Sequence, residues 1–124
     1  MSAHILVADD CKEISSFLAD YLAMMGHVVT VVDNGANLLS QAIARRPHLI
    51  ITDIQMPGGS GSSAYLSLQQ DEATRNIPFI FISAHPADRW SPDTLSTRSV
   101  QKPLDHEKLS RFIAELLPLG GYRV

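Results

Sequence analysis

The chain has 124 residues, 45% hydrophobic and 19% charged, which fits one ordinary globular domain and excludes disordered and fibrous classes. A formal net charge of -3, with no long block of either sign, offers no basic stripe for nucleic acid. One cysteine, Cys11, excludes an internal disulfide, and with neither a signal-peptide start nor a bilayer-length apolar run the expected location is the cytoplasm.

Short apolar runs alternate with segments of helical period. Ile5, Leu6, Val7 and Ala8 read as a buried strand that ends at Asp9 and Asp10. Ile14, Phe17, Leu18, Tyr21, Leu22 and Met25 follow the three-four spacing of an amphipathic helix, and Gly26 is its stop, because glycine takes the left-handed conformation at little cost. Val28, Val29, Val31 and Val32 make a β-branched second strand, and Asp33, Asn34 and Gly35 are turn chemistry. A second helix is expected over 36–46, with Leu38, Leu39, Ala42 and Ile43 inward, and Pro47 blocks its extension.

Leu49, Ile50, Ile51 and Thr52 form a third strand ending at Asp53. A loop rich in proline and glycine (Pro57, Gly58, Gly59, Gly61) leads to a third helix over 63–70. Phe79 to Ile82 is the fourth strand, ending at Ser83, and Ser99, Val100 and Gln101 are a weak fifth, ending at Lys102 and Pro103. Asp105 caps a last helix whose inward face is Leu109, Phe112, Ile113 and Leu116. Between Ser83 and Ser99 the pattern is irregular and broken by Pro86 and Pro92; a short helix over 93–98 or a single turn over 87–90 is expected. Residues 119–124 read as a short, partly loose tail.

Apolar strands separated by helices imply an α/β fold: a doubly wound parallel sheet with helices on both faces. In such sheets ligands bind outside the carboxyl ends of the strands, where strand order reverses. The polar residues stand at those ends: Asp9 and Asp10, Asp53, Ser83 and Lys102. Three clustered carboxylates repel and call for a cation, and hard oxygen ligands favour Mg²⁺ or Mn²⁺. Asp53 then serves as nucleophile, taking a phosphoryl group as an aspartyl phosphate. The metal is held by Asp10 and Asp53 directly, by Asp9 through water, and by the backbone carbonyl of Gln55. Lys102 gives positive charge to one phosphoryl oxygen and the Ser83 hydroxyl a hydrogen bond to another.

This set resembles the receiver domain of two-component response regulators. The matching residues are Asp9-Asp10, Asp53, Ser83-Ala84 and Lys102-Pro103, with Met56-Pro57 and Gly61 at the usual offsets of the family's phosphorylation loop. The resemblance covers nearly the whole chain. It implies a five-stranded flavodoxin-like sheet of order 2-1-3-4-5, a single receiver domain over 1–124, and a signalling module rather than an enzyme. The implied donor is a histidine kinase or histidine phosphotransfer protein, and readout is by protein contact or by passing the phosphoryl group on. It also implies a cis peptide between Lys102 and Pro103. Two departures stand out. Ser99 occupies the position of the family's inward-turning aromatic, and the segment of the fourth helix is short and carries two prolines.

Competing readings are separated by single residues. A receiver-fold scaffold that works without phosphorylation is favoured by Ser99 but disfavoured by the complete acidic set. A phosphohydrolase using an aspartyl phosphate needs a second Asp two residues after the nucleophile, where this chain has Gln55. A flavin site lacks its phosphate-cradling loop after the first strand. His85 and Gln55 stand two residues beyond Ser83 and Asp53, where they bear on water access or simply face solvent. His4, His27, His48 and His106 show no ligand spacing. Cys11 reads as a helix-start residue whose thiolate the acidic neighbours discourage. Trp90 reads as a partner anchor or as local packing.

Overall fold

The computed structural model describes residues 2–84 and 94–122. In chain order these hold β1 (His4–Ala8), α1 (Lys12–Met24), β2 (Val28–Val32), α2 (Gly35–Arg45), β3 (Leu49–Asp53), α3 (Gly61–Gln69), β4 (Phe79–Ser83), β5 (Thr97–Gln101) and α4 (His106–Leu116), then a 3₁₀ turn over Leu117–Gly120. The strands form one sheet in the order β2-β1-β3-β4-β5, and every pair is parallel. The chain steps outward from β1 to β2 and then back across to β3, so strand order reverses between β1 and β3.

The two-residue period of a strand sends alternate side chains to opposite faces. Ile5 and Val7 join Leu18 and Leu22 of α1 and Leu109 and Ile113 of α4 on one side. Leu6 and Ala8 join Leu38 and Ala42 of α2 and Ala64 and Leu68 of α3 on the other. Each large aliphatic side chain buried this way contributes about 1.5–3 kcal/mol, so these two layers hold the sheet rigid enough to position its ends.

Local chemistry sets the helix boundaries. Asn34 Oδ1 accepts a hydrogen bond from Asn37 N at 2.8 Å, so α2 starts at Gly35, one residue before the expected position. Ser60 Oγ accepts from Ser63 N at 3.0 Å and starts α3 at Gly61, two residues early. Asp105 caps α4 as expected, accepting from Lys108 N at 3.2 Å. Gly26 (φ 88°) follows α1, and Arg46 (φ 45°) closes α2 ahead of Pro47.

Several expectations change. Ile43 is 51% exposed and Met25 is also exposed, because each lies at the rim of its helix stripe, beyond the reach of the sheet. Val28 and Val31 are exposed because β2 is an edge strand. The fifth strand starts at Thr97, so among the described residues no helix runs over 94–98: Thr97 and Arg98 pair with Phe79 and Ile80 instead. The turn at 87–90, together with His85 and Trp90, lies outside the described residues. The tail is seated rather than loose as far as Tyr122, whose amide donates to Leu117 O at 3.1 Å and whose ring packs on His27 and His48, while 123–124 lie outside the described residues.

Ser99 pairs in register with Phe81. The Phe81 ring lies 5.3 Å from Phe79 and 5.5 Å from Tyr65 of α3, centroid to centroid. Aromatic bulk on this face of the sheet comes from β4 and α3 rather than from β5.

Candidate functional site

The carboxyl ends of β1, β3, β4 and β5 bring the polar residues together. Asp9 ends β1 and is 1% exposed; its amide donates to Val32 O at 3.1 Å, which ties the strand end to β2. Asp9 Oδ1 accepts from Cys11 N at 2.9 Å. Asp53, the last residue of β3, is 7% exposed, and its Oδ1 accepts from Gln55 N at 3.2 Å. In both cases a backbone N–H two residues on orients the carboxylate, and at Asp9 it favours the charged form.

Lys102 enters from beyond β5. Its amide donates to Ser83 O at 2.8 Å, which joins the ends of β4 and β5. The peptide to Pro103 is cis, as the resemblance implies. Lys102 Nζ donates to Asp53 Oδ2 at 3.0 Å and stands 3.5 Å from Asp9 Oδ2. Burial opposes the ammonium charge, but the hydrogen bond to Asp53 and the charges of Asp53 and Asp9 outweigh it and hold Lys102 above its ordinary pKa. Asp9 is pushed up from the usual carboxylate range, first by burial and then by the charge of Asp53; the Cys11 amide and Lys102 offset this only in part.

Asp9 Oδ2 has no hydrogen-bond partner, the one buried side-chain polar atom of this kind among the described residues. Its nearest cation is Lys102 Nζ at 3.5 Å, an ion pair longer than a good hydrogen bond, and a buried carboxylate oxygen so weakly satisfied is costly. Asp10 is exposed beside it, and one oxygen each of Asp9, Asp10 and Asp53 lie within 4.8 Å of one another. Such a set could hold a hard divalent cation, which would also satisfy the weakly paired Asp9 oxygen. A cleft of about 270 Å³ opens from Asp9 and Asp10 toward Asp33 and Asn37.

Ser83 is buried at the end of β4, across the register from Gln101. Gln55 is exposed just beyond Asp53 and adds its amide to that carboxylate. The sequence reading of the strand ends omitted the supports behind Asp53. Thr52 Oγ1 donates to Asp53 O at 2.9 Å. Gly61 packs against that same carbonyl, where a Cβ would overlap Asp53 O and lie 2.7 Å from Thr52 Oγ1. The spacing of Gly61 from Asp53 was the visible signal; the close approach that requires glycine there was not.

The response regulator receiver domain model matches residues 5–114. Protein PilH of Pseudomonas aeruginosa is 30% identical over 118 residues, covering 93% of this chain and 98% of PilH. Hybrid signal transduction histidine kinase D of Dictyostelium discoideum is also 30% identical over 118 residues, but the match spans only 8% of that kinase. Among solved structures, the receiver domain of a Pseudomonas aeruginosa sensor histidine kinase superposes with a TM-score of 0.84 at 21% identity, covering 95% of this chain and 99% of that one. That structure is described with a magnesium ion coordinated in its active-site cleft.

Proposed function

This chain belongs to the response-regulator receiver family, and from that premise we propose that it accepts a phosphoryl group on Asp53 and signals through protein contact. The observation that carries the reading is the Lys102 ammonium set between Asp53 and Asp9, with Asp10 alongside. A carboxylate oxygen of Asp53 attacks phosphorus, and the bond from phosphorus to the donor breaks with its electrons leaving on the donor. That bond is P–N in a phosphohistidine and P–O in an acyl phosphate. The amide of Gln55 keeps the Asp53 carboxylate oriented, and Lys102 moves its charge from the carboxylate to a phosphoryl oxygen. The Ser83 hydroxyl donates to another phosphoryl oxygen.

Asp9, Asp10 and Asp53, with the Gln55 carbonyl, would hold Mg²⁺ or Mn²⁺. Bound there, the ion supplies the positive charge that lets an anionic phosphoryl group approach carboxylates. The donor is a histidine kinase or histidine phosphotransfer protein, and residues 1–124 act as one domain. Among the described residues no helix is long and apolar enough to cross a membrane, and the reading places the protein in the cytoplasm. A scaffold independent of phosphorylation would have no use for three carboxylates gathered within reach of one cation.

The test is incubation with acetyl phosphate, with and without Mg²⁺, followed by intact mass. A phosphoryl adduct that needs Mg²⁺ supports the reading. No adduct, together with no binding of beryllofluoride in the presence of Mg²⁺, points to the scaffold instead.

A further inference from the structure

The end of the sheet opposite the carboxylates gathers three of the five histidines. His4 opens β1, His27 precedes β2 and His48 precedes β3, so the strand order places His4 between the other two. Nδ1 of His27 accepts a hydrogen bond from Ala3 N at 3.2 Å, and Nδ1 of His48 accepts one from His4 N at 2.9 Å. The same neighbours are joined through their backbones: Val28 N donates to Ala3 O at 2.9 Å and His48 N to His4 O at 2.8 Å. The Tyr122 ring meets both imidazoles edge-on, with centroids 5.9 Å from His27 and 5.7 Å from His48.

A neutral imidazole has one N–H and one acceptor nitrogen. Here the acceptor in both rings is Nδ1, so the proton sits on Nε2. A second proton would have to go on Nδ1, where it would face a backbone N–H and end the hydrogen bond. The surroundings offer such a charge on His27 no relief. The charge facing His27 is that of His48, and those facing His4 are Arg45 of α2 and His48. Tyr122 presents a neutral phenol, while α1, α4 and the 3₁₀ turn bring Met25, Ile113 and Leu117 to the groove beside His27. Burial first, and then His48, hold the His27 imidazole below its ordinary value of 6.5.

We propose that His27 forms a proton-sensitive clamp, which ties the start of β1 to β2 and, with His48 beside it, seats Tyr122 only while the His27 ring is neutral. For His27 the folded value lies below the unfolded one. Its contribution to stability is therefore complete above the unfolded value of 6.5 and is lost as pH falls through the folded value. Acid loosens the amino edge of the sheet and the segment Leu117–Gly120 with the Tyr122 that follows it.

The test compares the wild type with the double variant His27→Asn, His48→Asn. Asparagine Oδ1 stands where Nδ1 stands and accepts the same amide without titrating. Between about pH 7.5 and about pH 5, the folding equilibrium constant of the wild type should fall roughly tenfold more than that of the variant, read from urea unfolding. Parallel losses would overturn the clamp. A second measurement does not depend on the variant folding: ¹⁵N imidazole spectra of the wild type. Both rings should show the Nε2–H tautomer at neutral pH, and the Ala3 amide signal should shift as His27 titrates. An Nδ1–H tautomer in either ring, or an Ala3 amide that stays put through the titration, would sink the proposal.

Discussion

Lys102 Nζ lies 3.0 Å from Asp53 Oδ2 although 49 residues separate them, and the same ammonium stands 3.5 Å from Asp9. One cation thus bridges two buried carboxylates from different strands. Its position is fixed by the backbone bond from Lys102 N to Ser83 O.

Replacing the proposed nucleophile while keeping its shape isolates the chemistry. Asp53→Asn should take up no phosphoryl group from acetyl phosphate with Mg²⁺ and should keep its far-UV circular dichroism. Labelling at the wild-type extent would place the acceptor elsewhere.

Lys102→Ala removes the charge proposed to meet the phosphoryl oxygen. Phosphoryl uptake should slow by about a hundredfold, the usual cost of losing one preorganised donor. Divalent-ion binding, followed by NMR shifts of the Asp9 and Asp53 amides, should persist, because the carboxylates remain and a competing cation has gone. A variant that takes up phosphoryl groups at the wild-type rate would remove Lys102 from the mechanism.

Asp9→Asn tests the weakly paired Asp9 oxygen. Without a divalent ion the variant should melt a few degrees higher than the wild type, because it relieves a buried carboxylate that faces Asp53. With Mg²⁺ the order should reverse, since only the wild type gains binding energy from the ion. Equal gains on adding Mg²⁺ would show that Asp9 takes no part in holding it.

Gly61→Ala tests the support behind the site. The new Cβ meets the backbone carbonyl of Asp53, which cannot swing aside as a flexible side chain would. The expected loss is about 1–3 kcal/mol by urea unfolding, with slower phosphoryl uptake as the end of β3 is displaced. Unchanged stability would mean that α3 can shift without consequence.

Much of the fold was legible because its signals are local. Apolar runs of strand length, three-four spacing and the breakers Gly26 and Pro47 mark elements one at a time, and Asp9, Asp53, Ser83 and Lys102 each stand at a strand end readable without knowing its neighbours. The start of β5 was misplaced for the opposite reason: Thr97 and Arg98 are strand because they pair with Phe79 and Ile80.

The sequence by itself determined the order of elements, the parallel sheet and the residues available for phosphoryl chemistry, since periodicity and turn chemistry act over a few residues. Tertiary structure decided which of those residues touch. His4, His27 and His48 look unrelated along the chain and become neighbours only because β2, β1 and β3 are adjacent. Tyr122 is seated because two of those imidazoles await it, and Phe81 and Tyr65 fill the face beside Ser99 because register and helix packing bring them there. Contacts of this kind depend on strand order and sheet twist, which distant parts of the chain set together and no local pattern encodes.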